Sequence, residues 1–350
     1  MSDFAENDTM TADVKDKETL NTHTQFLSYG GRNIFILVNH VVLSNLISLF
    51  GLGANVVNIL VFSRQGLKNS MNLSFFVLAI TDLMGLLTQL WHNFCLNPYV
   101  SLIDAPVSFT EIQFLTAGSP NACLVRITGW ITVYITGERC LSIALPLKIK
   151  QIVTFERTAA ILICIYLVNM ASLAPLYFSA YFSWKIDPTH NATIMGVDFS
   201  SNIASILDLV FIFMVTLALM AFSCAIILTT ILIISLKQKS KWRQASTYDK
   251  DNGDKGLSSK DKKTIRMVIV VASVLIVCYT PASINSILTP LVPGYSINGD
   301  QSNSFEAGWS FAFLLHSINS SVTMLLYYNM SSKYKSTFHQ IFPMCICLSK

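Results

Sequence analysis

Charged residues are scarce in this chain of 350 residues, because Asp, Glu, Lys and Arg together make up only 13% of it. Soluble domains carry roughly 25%, so the sequence has about half of the charge that a hydrated surface of this size uses. Hydrophobic residues make up 52% and the net charge is only +4, which excludes a disordered chain and a nucleic-acid-binding protein. Eight cysteines are too few for a small disulfide-stabilised secreted domain. A membrane protein remains.

Seven apolar stretches are long enough to cross a bilayer, for which a helix needs about 20 residues. They lack the alternation of a transmembrane β-strand, so we predict an all-α bundle of seven transmembrane helices. The third stretch is the least apolar because Gly118, Pro120 and Arg126 interrupt it. The predicted spans are 34–62, 72–96, 111–145, 158–182, 202–236, 264–292 and 305–328.

Basic residues fall mainly on one side of this predicted bundle. Of the 24 Lys and Arg residues, 19 lie in the segments 63–71, 138–157, 237–266 and beyond 329. The positive-inside rule makes this side cytosolic and predicts a multi-pass plasma-membrane protein with an extracellular N-terminus. The predicted parts are an extracellular tail 1–33, a transmembrane domain 34–328 with an inner loop 237–263, and a cytosolic segment 329–350.

Two kinds of covalent modification follow from this topology. The sequons at Asn7 and Asn191 fall on the outside and are candidates for glycosylation. The stretch 330–343 has an apolar face, so we expect a short amphipathic eighth helix that lies on the lipid of the inner leaflet. Cys345 and Cys347 follow it and are candidates for palmitoylation, with unmodified thiols as the alternative.

Ionisable residues at bilayer depth cost at least roughly 2.5–3.5 kcal/mol each, so each of them needs a role. Asp82 lies midway along the second span. A carboxylate among amides and hydroxyls can bind a sodium ion or a proton, or it can be a purely structural hub of hydrogen bonds between helices. The neighbours that we expect around it are Asn55, Thr128, Asn319 and Ser320.

Arg126 is the second ionisable residue that needs an explanation. It precedes Arg139 by 13 residues, which is about 20 Å along a helix, and therefore lies too deep to reach the cytosol easily. Asp208, in the outer part of the fifth span, is the other acid at membrane depth. We expect Arg126 and Asp208 to pair with each other, or one of them to meet a charged ligand.

The cytosolic ends of the third and sixth spans carry residues that can form a latch. Arg139 can hold its neighbour Glu138 or reach Asp261 on the sixth helix, and a bridge between two helix ends has two states. Pro281 interrupts the sixth span and removes a backbone hydrogen bond, so we predict a kink there, with Tyr279 beside it, that acts as a hinge.

Seven short segments occur in order along the predicted spans: Ala54-Asn55, Leu78 to Asp82, Glu138-Arg139-Cys140, Leu145-Pro146-Leu147, Pro175, Cys278 to Pro281 and Thr323 to Tyr327. In this order they resemble the motifs of rhodopsin-like (class A) G-protein-coupled receptors, and the resemblance covers residues 34–343. The resemblance implies a receptor, not an enzyme, that binds an extracellular small-molecule or peptide ligand within the bundle and signals through a heterotrimeric G protein, without a cofactor. It also implies that Asp82 is part of a transmission hub and that Tyr327 is a switch in the seventh helix. In the same order, the family motifs that the seven segments resemble are Gly-Asn, LAxxD, DRY, PL, the fourth-helix proline, CWxP and NPxxY.

Several positions depart from the pattern of that family. Thr323-Met324 replaces Asn-Pro, Tyr279 replaces the toggle tryptophan, and Phe114 stands where a disulfide cysteine is usual. The outer loop 183–201 has no cysteine either, so both halves of that bridge are missing together. This divergence resembles the chemosensory-type or peptide-type receptors of invertebrates.

The ligand pocket that the resemblance implies contains Asn121, Arg126, Asp208, Tyr279 and His316. Asn121 stands where amine receptors have an aspartate, and the seventh span has no lysine for a retinal Schiff base. An amine ligand of that kind and retinal are therefore both less favoured. Arg126 favours an anionic ligand unless Asp208 neutralises it.

Two alternatives of a different kind remain. A transporter or channel is the first, although the spans show neither internal repeats nor paired broken helices. A receptor-like protein that binds a ligand without coupling is the second, because the signalling motifs are altered. The six histidines lack metal-ligand spacing, so a membrane metalloenzyme is less favoured.

Overall fold

The computed structural model describes residues 26–97, 99–100, 103, 105–187, 192–201, 203–246 and 259–343. Helices dominate this part of the chain, and a single β-hairpin joins the fourth and fifth of them. Their bounds are α1, Tyr29–Gln65; α2, Ser70–Cys95; α3, residues 109–144; α4, Phe155–Ser179; β1, Ala180–Asp187; β2, Ala192–Phe199; α5, Ile203–Ser246; α6, Ser259–Leu291; α7, Ser302–Met330; and α8, Ser332–Ile341.

Seven long helices lie where the sequence predicts seven spans, and the all-α bundle is confirmed. Most of the helices extend beyond the apolar stretches, because hydropathy marks only the part of a helix that crosses lipid. The largest extension is at the end of α5, which runs through a lysine-rich segment to Ser246. At the other end of the chain, α1 begins at Tyr29, inside the predicted tail 1–33, and the Ser28 hydroxyl caps it by accepting a hydrogen bond from the Gly31 amide. The boundary between the tail and the transmembrane domain stays a prediction.

Six of these helices are long and apolar enough to cross a membrane, and α3 is not among them. Its helical core, Ser119–Ala144, includes Arg126, Glu138 and Arg139 as well as several threonines, which lower its hydropathy. This is the same span that the sequence marks as the least apolar. The polar side chains of α3 are mostly buried against the other helices. They therefore contact protein rather than lipid.

Two helices contain π-helical segments, and both segments lie toward the end of the bundle that carries the hairpin. These segments are Leu37–Ser44 in α1 and Phe114–Gly118 in α3. We refer to the hairpin end as the outer end and to the end that carries α8 as the inner end. A π-helical turn widens the helix locally, and such turns are frequent at functional sites.

The β-hairpin is fastened to α3 without a disulfide, and the described cysteines are all free. Strands β1 and β2 pair antiparallel, with Lys185 opposite Ile194. The Lys185 ammonium lies 2.5 Å from Glu111 Oε2 at the start of α3, and the same oxygen accepts a hydrogen bond from the Val197 amide. Met195 also exchanges backbone hydrogen bonds with Pro106 and Ser108. An ion pair and backbone hydrogen bonds therefore hold the hairpin to α3 and to the segment before it.

Helix α8 follows α7 after a single residue, Ser331, whose hydroxyl caps it by accepting a hydrogen bond from the Tyr334 amide. Tyr334 is buried and turned toward α1, where its phenol donates to Asn58 Oδ1 at 2.6 Å. Burial raises the pKa of the Tyr334 phenol, which therefore stays protonated and able to donate. This contact fixes the direction in which α8 leaves the bundle.

Candidate functional site

The Asp82 carboxylate joins three helices at the middle of the bundle. It is 1% exposed, and its Oδ1 accepts hydrogen bonds from the Thr128 hydroxyl of α3 at 2.9 Å and from the Ser320 hydroxyl of α7 at 3.0 Å. Helix α1 joins through Asn55, whose amide donates to the Ser320 carbonyl at 2.8 Å. The structure thus brings together Asp82, Asn55, Thr128 and Ser320.

Among the described residues, Asn319 is the member of the expected set without a side-chain hydrogen bond to Asp82 or, as Asn55 has, to Ser320. It is buried, but among the described residues no hydrogen bond joins its side chain to the carboxylate. Adjacent helical residues project about 100° apart, so Asn319 and Ser320 face different neighbours. Ser320 faces α2 and bonds to Asp82, and the role of Asn319 in the hub stays a prediction.

Arg126 lies between α3 and α4 and does not pair with Asp208. Its guanidinium donates to Asn169 Oδ1 at 3.4 Å, to the Ser172 hydroxyl at 3.1 Å and to the Ala122 carbonyl at 3.3 Å. The ion pairs of the described residues do not include Arg126 with Asp208. The expected pairing is therefore wrong.

The turn of α3 explains this outcome. Asn121 faces α2, where its amide donates to the Gly85 carbonyl at 2.8 Å. Arg126 follows it by five residues, so the two side chains project roughly 140° apart and Arg126 points to α4. Hydropathy marks which residues lie at membrane depth but does not reveal which face of the helix each of them occupies.

A cavity of about 510 Å³ lies at the outer end of the bundle, and we call it the outer cavity. Helices α2, α3, α4, α5 and α7 all contribute to its wall, which is mainly apolar and aromatic. Asp208, at the outer end of α5, is exposed and lines it. The lining residues are His92, Gln113, Phe114, Gly118, Ser119, Ala122, Leu176, Leu207, Asp208, Val210, Phe211, Met214 and Phe313.

The five residues of the expected ligand pocket do not share this cavity. Only Asp208 lines it. Asn121 and His316 lie deeper and line a second cavity of about 10 Å³, which has room for about one water molecule. Tyr279 packs edge-on against His316 with 4.9 Å between ring centroids, and its hydroxyl donates to the Val125 carbonyl at 2.8 Å. Arg126 lines neither cavity.

Sequence reasoning missed His92, Gln113 and Phe313 as parts of the outer cavity. His92 is buried, and its Nδ1 lies 2.8 Å from Gln113 Oε1. One signal was present in the sequence: His92 and Asn93 follow Gln89 by three and four residues on a mainly apolar helix, and polar residues in a span are unusual. Phe313 carries no such signal, because an aromatic residue in an apolar span is ordinary.

The inner end of the bundle holds a packed group of rings, Phe62, Phe75, Tyr327 and Tyr334, which we call the inner aromatic cluster. Tyr327 is 1% exposed, and its ring centroid lies 5.3 Å from Phe62, 5.0 Å from Phe75 and 5.7 Å from Tyr334. Its hydroxyl is buried and has no hydrogen-bond partner among the described residues. The packing ties α7 to α1, α2 and α8.

Thr323, which stands in place of the family's asparagine, lies beside this cluster. Its hydroxyl accepts a hydrogen bond from the Asn58 amide at 3.2 Å, and Asn58 in turn accepts from Tyr334. Hydrogen bonds through Asn58 therefore connect Thr323 of α7 to α1 and to Tyr334 of α8.

Glu138 and Arg139 form an ion pair at the inner end of α3, with Arg139 Nη2 2.9 Å from Glu138 Oε1. Asp261 belongs to the backbone of α6, but its side chain lies outside the part of the structure that is described. The latch between Arg139 and Asp261 therefore stays a prediction. Pro281 lies within α6, as expected, and Tyr279 two residues earlier contacts α3.

The candidate modification sites fall outside the described residues. This holds for the sequons at Asn7 and Asn191 and for Cys345 and Cys347, so glycosylation and palmitoylation stay predictions. Among the residues that are described, no group of three or more His, Cys, Asp or Glu side chains is arranged to hold a metal ion.

Known proteins resemble this chain along most of its length. Growth hormone secretagogue receptor type 1 of Mus musculus is 23% identical over 299 residues, and the same receptor of Sus scrofa is 24% identical over 293 residues. Each alignment covers 81% of this chain and 75% of the relative. Neuromedin-U receptor 2 of Mus musculus is 22% identical over 353 residues, which covers 93% of this chain and 81% of the relative.

A family-wide sequence profile, described as "Serpentine type 7TM GPCR chemoreceptor Srw", matches residues 42–345. The match spans every helix from α2 to α8 and most of α1, so it covers the whole bundle. The relatives and the family are receptors, which is consistent with a protein that is not an enzyme. The chain belongs to the Srw family of seven-transmembrane chemoreceptors and is a divergent rhodopsin-like G-protein-coupled receptor, a multi-pass membrane protein that binds an extracellular ligand.

Proposed function

We propose that this receptor lies in the plasma membrane with its N-terminus outside and binds a small-molecule or peptide ligand in the outer cavity. Its inner end then activates a heterotrimeric G protein. The excess of Lys and Arg near the inner helix ends supports this orientation. A cavity of about 510 Å³ lies within the usual range for small-molecule sites, roughly 300–1,000 Å³.

The observation that carries the proposal is the position of Asp82 between the two ends. The carboxylate is shared by α2, α3 and α7, and α7 also lines the outer cavity through Phe313 and holds the inner aromatic cluster through Tyr327. A displacement of α7 at the cavity therefore has to rearrange the hydrogen bonds of Asp82 or move the rings of the cluster. Asp82, Asn55, Thr128 and Ser320 form the proposed transmission hub.

Activation, in this proposal, releases a latch at the inner end. Arg139 is held by Glu138 and by Asp261 of α6 in the inactive state, and α6 swings outward about the hinge at Tyr279 and Pro281. A ligand drives this change only through a higher affinity for the active state. Tyr327 is the switch in α7, because its ring packs against three helices while its hydroxyl has no partner among the described residues.

The Asp82 site also fits a small hard cation or a proton. Its Oδ2 is buried without a hydrogen-bond partner among the described residues, and the Thr128 and Ser320 hydroxyls supply two further oxygens. Oxygen donors of this kind suit hard cations. A sodium ion would be held by Asp82, Thr128 and Ser320, where it would neutralise the buried carboxylate.

Lipid and sugar are the remaining proposed partners. Helix α8 carries an apolar face and lies at the inner end, which suits the surface of the inner leaflet. Palmitoyl chains on Cys345 and Cys347 would strengthen this attachment, and N-linked sugars on Asn7 and Asn191 would lie outside.

Coupling is tested in cells that express the receptor with a promiscuous G-protein dissociation reporter, screened against a chemically diverse ligand library. We expect at least one compound to dissociate the G protein in wild-type cells and none to do so with Arg139→Ala at the same surface level. A compound that binds without any G-protein response would instead identify a non-coupling receptor-like protein. Ligand-dependent flux of a labelled solute, without a G-protein response, would identify a transporter or channel.

A further inference from the structure

The outer cavity combines aromatic walls with a single formal charge. Of the described residues that line it, Asp208 is the one that is charged at neutral pH, and no ion pair of the described residues involves its carboxylate. Three rings, those of Phe114, Phe211 and Phe313, form part of the wall. Because Asp208 is exposed and has no ion-pair partner among the described residues, its carboxylate is free to meet a cation that enters the cavity.

His92 also lines this cavity, and its ring has an acceptor that lacks a partner among the described residues. Its Nδ1 lies 2.8 Å from the Gln113 carbonyl oxygen, and because a carbonyl only accepts, Nδ1 carries the hydrogen. Nε2 is then an acceptor in the neutral ring. That atom is buried and has no hydrogen-bond partner among the described residues, while the residue is only 5% exposed. A buried, unpartnered acceptor needs a donor.

The basic residue that the sequence assigns to the pocket does not counter these acceptors. All three guanidinium nitrogens of Arg126 donate to Asn169, Ser172 and Ala122, on the side of α3 that faces α4. Arg126 is absent from the lining of the outer cavity, and among the described residues no lysine or other arginine lines it. The cavity is therefore negatively charged, which is the reverse of what Arg126 indicates from the sequence.

We propose that the ligand of the outer cavity is an amphipathic cation: a protonated amine or a guanidinium on an aromatic or aliphatic body. Its charged group binds Asp208, and its apolar body fills the space between the rings, whose faces also attract cations. The inference rests on the proposed function, since it names the ligand class of that same cavity. A free small amine and the basic end of a peptide share this chemistry.

The test measures how probe compounds shift the thermal unfolding of the purified full-length receptor. The small-molecule probes share one body and differ in charge: 4-phenylbutylamine is a cation, 4-phenylbutanol is neutral and 4-phenylbutyrate is an anion. The peptide probes are acetyl-leucyl-arginine amide and its neutral counterpart, acetyl-leucyl-citrulline amide. We expect the cation of at least one series to stabilise the receptor more than its neutral partner does, and the series that responds identifies the source. Equal stabilisation by charged and neutral partners in both series, or a preference for the anion, would overturn the inference.

Substitutions of Asp208 test whether its carboxylate binds the charged group of the probe. Asp208→Asn should weaken binding of the preferred cation about ten- to hundredfold, because a hydrogen bond to a charged group is worth roughly 1.5–3 kcal/mol. Asp208→Glu should retain it, and Asp208→Lys should transfer the preference to 4-phenylbutyrate. Asp300→Asn is the matched control, because Asp300 is an exposed acid in the segment before α7 and does not line the cavity. Unchanged binding in Asp208→Asn would contradict the assignment, and if that variant does not fold, the ranking of probes on the wild type decides.

The binding readout separates this inference from the proposed function. If cations bind through Asp208 but no G protein responds, the ligand class holds and the coupling proposal fails. If the G protein responds only to neutral or anionic compounds, coupling holds and the ligand class is wrong.

Discussion

The outer and inner ends of the bundle are built in opposite ways. The outer end has π-helical segments in α1 and α3, a cavity of about 510 Å³ and buried polar atoms without partners, such as His92 Nε2. The inner end has four interlocking rings around Tyr327, and a hydrogen-bonded chain through Asn58. The outer end therefore has room for a ligand, whereas the rings of the inner end are in close contact with one another.

This difference indicates how a small ligand at the outer end can change the structure of the inner end. A closely packed core does not deform continuously but changes between discrete arrangements, so a small shift at one end becomes a step at the other. Asp82 lies between the two ends and bonds to helices that reach both of them. The following changes weaken one end at a time, in order of decreasing expected effect.

Tyr327→Ala should have the largest effect, because it removes a fully buried ring from the inner aromatic cluster. Loss of a large buried aromatic side chain costs roughly 3–5 kcal/mol. The measurement is the thermal unfolding of the purified receptor, with Leu325→Ala, a half-exposed position on the same helix, as the control. Tyr327→Phe should be neutral or stabilising, since the hydroxyl that it removes has no partner among the described residues. Equal losses for Tyr327→Ala and Leu325→Ala would contradict the packing that we describe.

Asp82→Ala should rank second and should break the connection between the two ends. It leaves the buried Thr128 and Ser320 hydroxyls without their acceptor, and an unsatisfied buried group costs about 1–3 kcal/mol. Asp82→Asn keeps an acceptor oxygen and should lose less. The two variants are compared by thermal stability and by G-protein response at equal surface expression. An Asp82→Ala receptor with normal stability and normal response would show that the hub has no role in transmission.

Tyr334→Phe should cost about 1 kcal/mol, the net worth of a neutral hydrogen bond, by removing the donor to Asn58. Because burial raises the pKa of this phenol, its contribution to stability should be constant below the unfolded value of about 10 and should fall as the pH rises above it. Hydrogen exchange of α8 measures the local effect. No change in α8 protection would mean that the bond does not hold this helix.

Glu111→Gln should have the smallest effect and should act only at the outer end. It removes the charge that meets Lys185 and keeps an oxygen that can accept from the Val197 amide. Both side chains are about one third exposed, and pairs of this kind contribute roughly 0.2–1 kcal/mol. Faster hydrogen exchange in β1 and β2 is expected, with Lys185→Gln as the matched variant. If high salt slows rather than speeds exchange in the wild type, the ion pair is not what holds the hairpin.

The sequence predicted the number and order of the helices because lipid imposes a strict rule on length and apolarity. The sequence also predicted that Thr128 and Ser320 lie near Asp82, since polar groups within a span have few possible partners. It failed for Arg126, whose direction depends on the rotation of α3 about its own axis, and this rotation is set by packing rather than by hydropathy. It missed the outer cavity for the same reason: Phe313 and Leu176 become neighbours of Asp208 only when the helices are assembled.

The most direct test of the account is basal G-protein dissociation in cells that express the wild type, Asp261→Ala or Arg139→Ala at equal surface levels. We predict that Asp261→Ala raises basal activity, because α6 loses the acid that holds it near Arg139, and that Arg139→Ala lowers activity to that of cells without receptor. Basal activity that is the same in all three would contradict a receptor whose outer cavity controls its inner end.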